Sequence, residues 1–157
     1  MVKKRKNLKK KTILVTGGCG FIGAAITIHL VNEGYDVIVF DNNSRGKLSR
    51  LKNIINKIDF IKGDVRDYKS VFKIKKKIDI IIHLAYINGT KYFYQKPFDI
   101  LDIAANGFIN ILKFSKERKI KNIFLASSSE VYQNPLQLPT KENEMLKIPD
   151  VHNPRYS

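Results

Sequence analysis

The sequence has little of several residue types, and each shortage narrows the class of protein. Its 157 residues include one cysteine, Cys19, and three histidines, which excludes a disulfide framework and a cysteine-based zinc site. Acidic residues number 14 against 29 basic ones, so the formal net charge is +15. An excess of this size favours anionic partners in general without choosing among them. The length is that of a single domain with one sizeable core.

The positive charge is concentrated at the start of the chain. Residues 1–11 contain seven Lys and Arg and no acid, and we expect a disordered leader there, followed by one domain over 12–157. The other basic residues are not interleaved with aromatic ones, so we expect no nucleic-acid partner. The apolar stretch after the leader is broken by four glycines. It therefore fits neither a secretory signal nor a membrane span, and we expect a cytoplasmic protein with no membrane partner.

Short apolar runs alternate with helical patterns along the chain. The sequence predicts five strands, at 12–16, 36–40, 58–61, 79–84 and 122–126, and four helices, at 21–33, 46–56, 67–76 and 97–119. The last helix has an apolar stripe that we expect to be buried: Ile100, Leu101, Ala104, Phe108, Ile111 and Leu112. This alternation predicts an α/β fold, a doubly wound parallel sheet of the Rossmann type. Ligands of such sheets bind at the carboxyl ends of the strands.

A glycine-rich turn follows the first predicted strand, with glycines at Gly17, Gly20 and Gly23. The first allows a tight turn, the second lets backbone approach a pyrophosphate, and the third lets the helix pack on the strand. The helix that begins here presents free N–H groups and a partial positive charge to phosphates. Because the turn lies between a strand and a helix, it predicts a dinucleotide site in preference to a plain turn.

The next three strand ends carry residues that suit the rest of a dinucleotide. Asp41 can accept the ribose hydroxyls and repels a 2′-phosphate, which favours NAD over NADP. Arg45 could oppose that choice as a phosphate ligand, although we favour a solvated loop charge. Asp64 can take the adenine amino group, and the small Ala85 lets backbone pass close to the cofactor. His83 lies in an apolar run and is interpreted as a packed core histidine.

Three hydroxyls and a carboxylate follow the fifth strand in the stretch Ser127–Tyr132. A hydroxyl there could donate a hydrogen bond to a substrate oxygen, and a carboxylate could transfer a proton. Ordinary turn chemistry explains the same residues equally well.

Together these motifs resemble the extended short-chain dehydrogenase/reductase family, and within it the NAD-dependent nucleotide-sugar epimerases and dehydratases. The matching stretches are TGGCGFIG at 16–23, DNNSRG at 41–46, GDVRD at 63–67, HLAY at 83–86 and SSSEVY at 127–132. The loop at 41–46 and the stretch at 127–132 look most like UDP-glucose 4-epimerase-type proteins and UDP-sugar decarboxylases. The resemblance implies NAD as cofactor, a nucleotide-sugar substrate, in this subgroup a UDP-sugar, and a homodimer of the full-length chain.

The resemblance also implies a mechanism and a set of site residues. Hydride passes from the sugar C4 to NAD through a 4-keto intermediate, and a Tyr in a Tyr-x-x-x-Lys motif is the base. Ser128 occupies the position that binds the C4 oxygen, and Ser129 and Glu130 occupy the positions of the acidic pair of dehydratases. The implied cofactor-binding residues are Gly17, Gly20, Phe21, Ile22, Gly23, Asp41, Asn42, Asn43, Ser44, Asp64, Val65, Leu84, Ala85 and Tyr86. No metal is implied.

The sequence departs from the family in three places. Relatives read Asn-Pro-Arg, two residues and then the catalytic Tyr, which on the match to 153–155 falls just beyond Ser157. We therefore expect the cofactor-binding half of an enzyme, without the catalytic helix and the substrate domain, and inactive alone. The alternative is a non-catalytic nucleotide-binding module or an inactive remnant. Tyr86 and Ala104 also differ from the small residue and the Asn usual at their positions.

Overall fold

The computed structural model describes residues 10–147. Residues 1–9 of the expected leader, and the stretch from 148 to 157 with the Asn-Pro-Arg match, lie outside the described residues. Five strands form one sheet: β1 Thr12–Thr16, β2 Asp36–Asp41, β3 Ile58–Lys62, β4 Ile80–His83 and β5 Asn122–Leu125. All four pairings are parallel, and the order is β3-β2-β1-β4-β5. The predicted doubly wound parallel sheet is confirmed, with each strand within two residues of its predicted ends.

Alternate residues of the central strands fill two cores, one on each face of the sheet. Leu14 and Ile38 point to one face, while Ile13 and Val37 point to the other. This two-sided burial explains why β1 is apolar at successive positions, because both of its faces are covered.

Helices cover both faces. On one face lie α1 Phe21–Asn32 and a 3-10 helix at Leu48–Lys57. On the other lies α2 Tyr68–Phe72, which the Asp67 side chain caps by accepting from the N–H of Lys69 at 3.0 Å. The predicted helix over 67–76 is too long. An extended chain covers about twice the distance per residue of a helix. The helix therefore ends early, because the remaining residues must reach Asp79, which accepts the N–H of Thr12.

The long helix predicted over 97–119 is divided in three, with α4 at Pro97–Asp102, a π-helical stretch at Ile103–Gly107 and α5 at Phe108–Glu117. A short helix that the sequence did not predict, α3 at Thr90–Gln95, precedes it. The expected buried stripe is partly wrong, since Leu101 and Leu112 are exposed, as is Ala104. The residues that are buried instead are Ile103, Asn110, Phe114 and Ser115, beside Gly107 within the stripe and the correctly predicted Ile100 and Ile111.

Two contacts with the chain after β3 set this rotation of the helix. A Cβ at Gly107 would lie 2.8 Å from Cγ2 of Val65, so the helix packs closest there. Asn110 donates from Nδ2 to the carbonyls of Val65 and Arg66, at 3.0 and 2.8 Å. Turning the helix to bury Leu101 and Leu112 would remove both contacts.

The end of the expected leader is tied to the sheet. Lys10 pairs with Asp36 at 2.7 Å, and the carbonyl of Lys11 accepts the N–H of Asp36. Within residues 10–147, no helix combines the length and the apolar character that crossing a membrane requires.

Candidate functional site

The glycine turn after β1 has the shape that its sequence predicts. Gly17 has φ +70°, and a Cβ there would lie 2.8 Å from the backbone of Leu84 and Ala85. A Cβ at Gly23 would lie only 2.1 Å from the carbonyl oxygen of Gly17. Gly20 differs, because its Cβ would meet only that same oxygen, at 3.1 Å. Two glycines thus serve the packing of the turn, while Gly20 keeps open a place beside it.

Helix α1 begins at this open place. Gly20 is the N-cap of this helix and has no side chain that could cap it. The N–H of Ala24 donates to the carbonyl of Gly20 at 3.0 Å. The N–H groups of Phe21, Ile22 and Gly23 precede that bond, so the first turn offers donors outward. The Phe21 and Ile22 side chains are 86% and 63% exposed and do not line the cleft described below. Their predicted contribution to binding therefore falls to their backbone.

A cleft runs from this turn across the ends of β2, β3 and β4. The predicted cofactor residues that line it are Gly17, Gly20, Asp41, Asn42, Ser44, Asp64, Val65, Ala85 and Tyr86. The lining residues that the sequence analysis did not assign to a cofactor are Phe40, Arg45, Gly46, Gly63, Ile87 and Ile103. The five predicted residues outside the lining are Phe21, Ile22, Gly23, Asn43 and Leu84. Asn43 still supports the site, because its N–H donates to Oδ1 of Asp41 at 2.7 Å.

Asp41 links the loop after β2 to the glycine turn. Its Oδ2 accepts the N–H of Cys19 at 2.9 Å, and its Oδ1 accepts from Asn43. A carboxylate has about four lone-pair sites, so each oxygen can take one more donor, such as a ribose hydroxyl. The neighbouring Cys19 thiol is buried, and burial first and the Asp41 charge second raise its pKa to about 12. It is therefore a protonated packing residue and not a nucleophile.

Asp64 is held more tightly than Asp41. Its Oδ1 accepts the backbone N–H and Nε of Arg66, and its Oδ2 accepts from Arg66 and from Asn42. The Arg66 hydrogen bond is the main reason why the pKa of Asp64 falls to about 2. Arg66 also reaches Asp102 on α4 at 3.4 Å. An adenine amino group at this position would share an oxygen of Asp64 with one of these donors.

His83 is a buried core residue, as the sequence predicts. Its Nδ1 lies 2.7 Å from Oγ1 of Thr16, and its ring stacks on Phe108 with centroids 5.9 Å apart. Burial lowers its pKa to about 4. The N–H groups of Leu84 and Ala85 donate to Thr16 Oγ1 and occupy both of its lone pairs. The Thr16 hydroxyl therefore donates to Nδ1 of His83, and the ring proton of the neutral His83 lies on Nε2. The pair fixes the backbone just after β4, where it enters the cleft.

The predicted catalytic residues lie apart from this cleft. Ser128 and Ser129 are exposed and Glu130 is half-buried, and none of them is among the described residues that line it. Ser128 caps a 3-10 helix at Ser129–Tyr132, with its Oγ accepting the N–H of Glu130 at 3.2 Å. This is the turn chemistry that the sequence left as an alternative. It keeps the hydroxyl proton available for donation to a substrate.

Tyr92 and Lys96 also have the Tyr-x-x-x-Lys spacing. The ring of Tyr92 packs under the guanidinium of Arg45, and α3 ends at Gln95, before Lys96. Their position after β4 also differs from the one that the family resemblance implies for its catalytic pair.

The strand order and the glycine turn define a Rossmann-type α/β protein. The family model described as the NAD dependent epimerase/dehydratase family matches residues 13–157, and the chain belongs to this family. The resemblance found in the sequence is thereby confirmed.

Three similar proteins illustrate the relationship. A putative UDP-glucose 4-epimerase of Methanocaldococcus jannaschii is 40% identical over 83% of this chain and 43% of that protein. A UDP-N-acetyl-alpha-D-glucosaminuronate decarboxylase of Bacillus cytotoxicus is 36% identical over 78% of this chain and 38% of its own length. The structure of UDP-glucose 4-epimerase from Bifidobacterium longum, in complex with NAD+ and UDP, superposes with a TM-score of 0.80 at 34% identity, over 87% of this chain and 43% of that one. The chain thus spans about two fifths of the length of these relatives.

Proposed function

We propose that this chain is the cofactor-binding part of an NAD-dependent enzyme that acts on a nucleotide-sugar. The observation that carries the proposal is the cleft itself, which joins the open place at Gly20 to Asp41 and then to Asp64 and Val65. These are the positions at which a sheet of this type presents a pyrophosphate, a ribose and an adenine. Solved relatives with NAD, such as the epimerase of Bifidobacterium longum, support the choice of cofactor.

Each group of the chain has one task in this proposal. The N–H groups at the start of α1 bind the pyrophosphate, since the helix end favours an anion. Asp41 accepts hydrogen bonds from the ribose hydroxyls, using the lone pairs that the N–H groups of Cys19 and Asn43 do not occupy. Asp64, which Arg66 holds in place, and Val65 line the part of the cleft that takes the adenine. The nicotinamide half then extends past Ala85 and Tyr86 towards β5.

The family resemblance supports the reaction. Bound NAD would accept a hydride from the sugar C4, and a 4-keto sugar would be the intermediate. The proton of the C4 hydroxyl would pass to the Tyr base of the family. Ser128 would donate a hydrogen bond to the C4 oxygen, because its Oγ accepts from Glu130 and its O–H is left for a ligand. Ser129 and Glu130 would lie beside the same sugar. The names of the relatives support a UDP-sugar as substrate, and both epimerisation and decarboxylation fit them.

We propose further that turnover needs polypeptide beyond the described residues. Phe124 and Leu125 of β5 are 63% and 52% exposed, and an apolar edge strand of this kind is a place for further pairing. Ser128 is exposed as well and does not line the cleft. We therefore predict that the 157 residues bind NAD but do not turn over a UDP-sugar alone. Release of UDP-galactose from UDP-glucose by the purified chain would contradict this.

A homodimer is supported by the outer face of the long helix. Its exposed apolar residues form one stripe: Leu101, Ala105, Ile109 and Leu112. Their i, i+4 and i, i+3 spacing places them on one side, away from the face that carries the buried Ile100 and Ile111. Two copies could bury this stripe against each other. The cytoplasmic location and the absence of a nucleic-acid partner stay predictions from the sequence.

The cofactor proposal is tested by substituting the glycine that keeps the pyrophosphate place open. Gly20→Val should weaken NAD binding at least about tenfold in titration calorimetry, because it fills that place. Gly34→Asn at the other end of α1 is the matched control and should bind NAD normally, since no atom lies within 4 Å of a Cβ there. Equal NAD affinity of Gly20→Val and the unchanged chain would show the site assignment to be wrong.

A further inference from the structure

The Arg45 side chain lines the cleft and connects two strand ends that lie on either side of β1. Its Nη1 donates to the carbonyl of Asn88, and its guanidinium lies over the ring of Tyr92, 4.6 Å from the centroid. The sequence favoured a solvated loop charge for Arg45, and the residue is indeed exposed. The two contacts add that its side chain is held in place. Arg45 belongs to the loop after β2, whereas Asn88 and Tyr92 follow β4.

Both ends of this connection are fixed to the rest of the fold. On the β2 side, the N–H of Lys47 and Nη1 of Arg50 both donate to the carbonyl of Cys19, at 3.0 and 2.8 Å. On the β4 side, Gly89 has φ +130°, a conformation that side chains rarely adopt. A Cβ at Gly89 would lie 3.4 Å from Cδ2 of Tyr92 and 3.9 Å from Nη1 of Arg45. The backbone therefore turns beside the contact.

The strand register places the connection above the glycine turn. Thr16, the last residue of β1, pairs with Phe40 of β2 on one side and with His83 of β4 on the other. The loops after β2 and β4 consequently leave the sheet at the same level, with Gly17–Gly20 between them. A contact from Arg45 to Asn88 and Tyr92 must cross this interval. Arg45 lines the same cleft as Gly17 and Gly20.

From this geometry we infer that Arg45 is a further cofactor-binding residue, which closes the cleft above the glycine turn and holds the pyrophosphate of the dinucleotide. The inference rests on the proposed function. A guanidinium has five N–H donors, of which the Asn88 carbonyl takes one, and the Tyr92 ring occupies a face and not an edge. Among the described residues no carboxylate pairs with Arg45, so its charge is available to an anion.

Tyr92 and Asn88 act by positioning in this account. The ring and the carbonyl hold the guanidinium across the turn before the cofactor arrives, which reduces the ordering that binding requires. Arg45 should therefore slow the release of NAD more than it speeds association. A 2′-phosphate would be the alternative anion for Arg45, and comparison of NAD with NADP separates the two.

The experiment measures the affinity and the dissociation rate of NAD for the unchanged chain, Arg45→Gln, Tyr92→Leu and the double variant. Lys47→Gln is the matched control, because it removes the same charge from the same loop, whereas the contacts with Asn88 and Tyr92 described above come from Arg45. We expect Arg45→Gln to weaken NAD about tenfold, mostly through faster dissociation. Tyr92→Leu should weaken it about threefold. Lys47→Gln should change it less than about twofold.

The double variant shows whether the two side chains act together. If Tyr92 works by holding Arg45, Tyr92→Leu should have little further effect once Arg45 is Gln. NAD affinity that is unchanged in Arg45→Gln overturns the inference, as does a loss confined to NADP, which would assign Arg45 to a 2′-phosphate. Failure of the unchanged chain to bind NAD would instead overturn the proposed function.

Discussion

The two sides of the cleft differ in how completely the chain builds them. On the side of β2 and β3, Asp41 and Asp64 are held by hydrogen bonds from Cys19, Asn43 and Arg66, and the loops are anchored to the glycine turn. On the side of β5, Phe124 and Leu125 are exposed, and the Oγ of Ser128 accepts from Glu130 within its own turn. The first side has the arrangement that we propose for the adenosine half of a dinucleotide. The second has the residue types that we propose for sugar chemistry, and these residues lie outside the cleft.

This difference separates what cofactor binding requires from what turnover requires. The cofactor side depends on backbone geometry, which one sheet and its loops can fix. The sugar side depends on side chains that must enclose a ligand between two surfaces. Substitutions on the two sides should therefore have effects of different size and kind.

The largest expected effect comes from Gly23. Gly23→Ala places a methyl group 2.1 Å from the carbonyl oxygen of Gly17, so the turn must open, and we expect a loss of about 3 kcal/mol or more in the free energy of unfolding. Gly20→Ala is the matched substitution, with only a 3.1 Å contact, and should cost less than about 1 kcal/mol. Urea unfolding followed by circular dichroism measures both. Equal losses would mean that the two glycines do not have separate tasks.

A second expected effect is that His83, which lies at the end of β4, makes the free energy of unfolding depend on pH. Its folded pKa of about 4 lies below the ordinary 6.5, so the unfolded chain binds the proton more readily. The contribution of neutral His83 to the free energy of unfolding is fully present above pH 6.5. As the pH falls towards 4, on the order of 3 kcal/mol of this free energy is lost. His83→Gln should remove this slope in urea unfolding measured from pH 7 to 4. A slope of the same size in His83→Gln would assign it to other groups.

Backbone strain on the sugar side predicts a gain in stability. Gln133 has φ +52° and ψ −117°, a conformation suited to glycine, although its Nε2 donates to the Glu130 carbonyl. We expect Gln133→Gly to raise the free energy of unfolding by about 1 kcal/mol and the melting temperature by about 3 °C. The neighbouring Asn134→Gly should bring no gain, since only Gln133 and not Asn134 has a positive φ among these two. A lower melting temperature for Gln133→Gly would contradict the strain.

The smallest expected effect is that of Ser128 on the cofactor. Ser128→Ala should change NAD affinity by less than about twofold, because Ser128 lies outside the cleft lining and its loss removes one turn cap. Titration calorimetry with NAD measures it, with Asp41→Asn as the comparison that should weaken binding. A loss in Ser128→Ala as large as in Asp41→Asn would mean that the two sides form one site.

Local patterns predicted the sheet, because each strand of this fold is a short apolar run that ends at a turn. The glycine turn was equally predictable, since Gly17 and Gly23 serve contacts within a few residues of themselves or with the next strand end. The rotation of the long helix was not, because the contacts of Gly107 and Asn110 with the chain near Val65 set it. The contact of Arg45 with Tyr92 joins residues 47 positions apart. A local pattern in the sequence cannot predict a contact between residues so far apart in the chain.

We expect this chain alone to build the adenosine and pyrophosphate half of an NAD site. The decisive measurement is a crystal structure of the chain soaked with NAD. It should place the pyrophosphate within hydrogen-bond distance of the N–H of Ile22, a ribose hydroxyl on Asp41 and the adenine beside Val65. NAD bound in the reverse direction, with the adenine beside Tyr86, or bound outside the cleft, would contradict it.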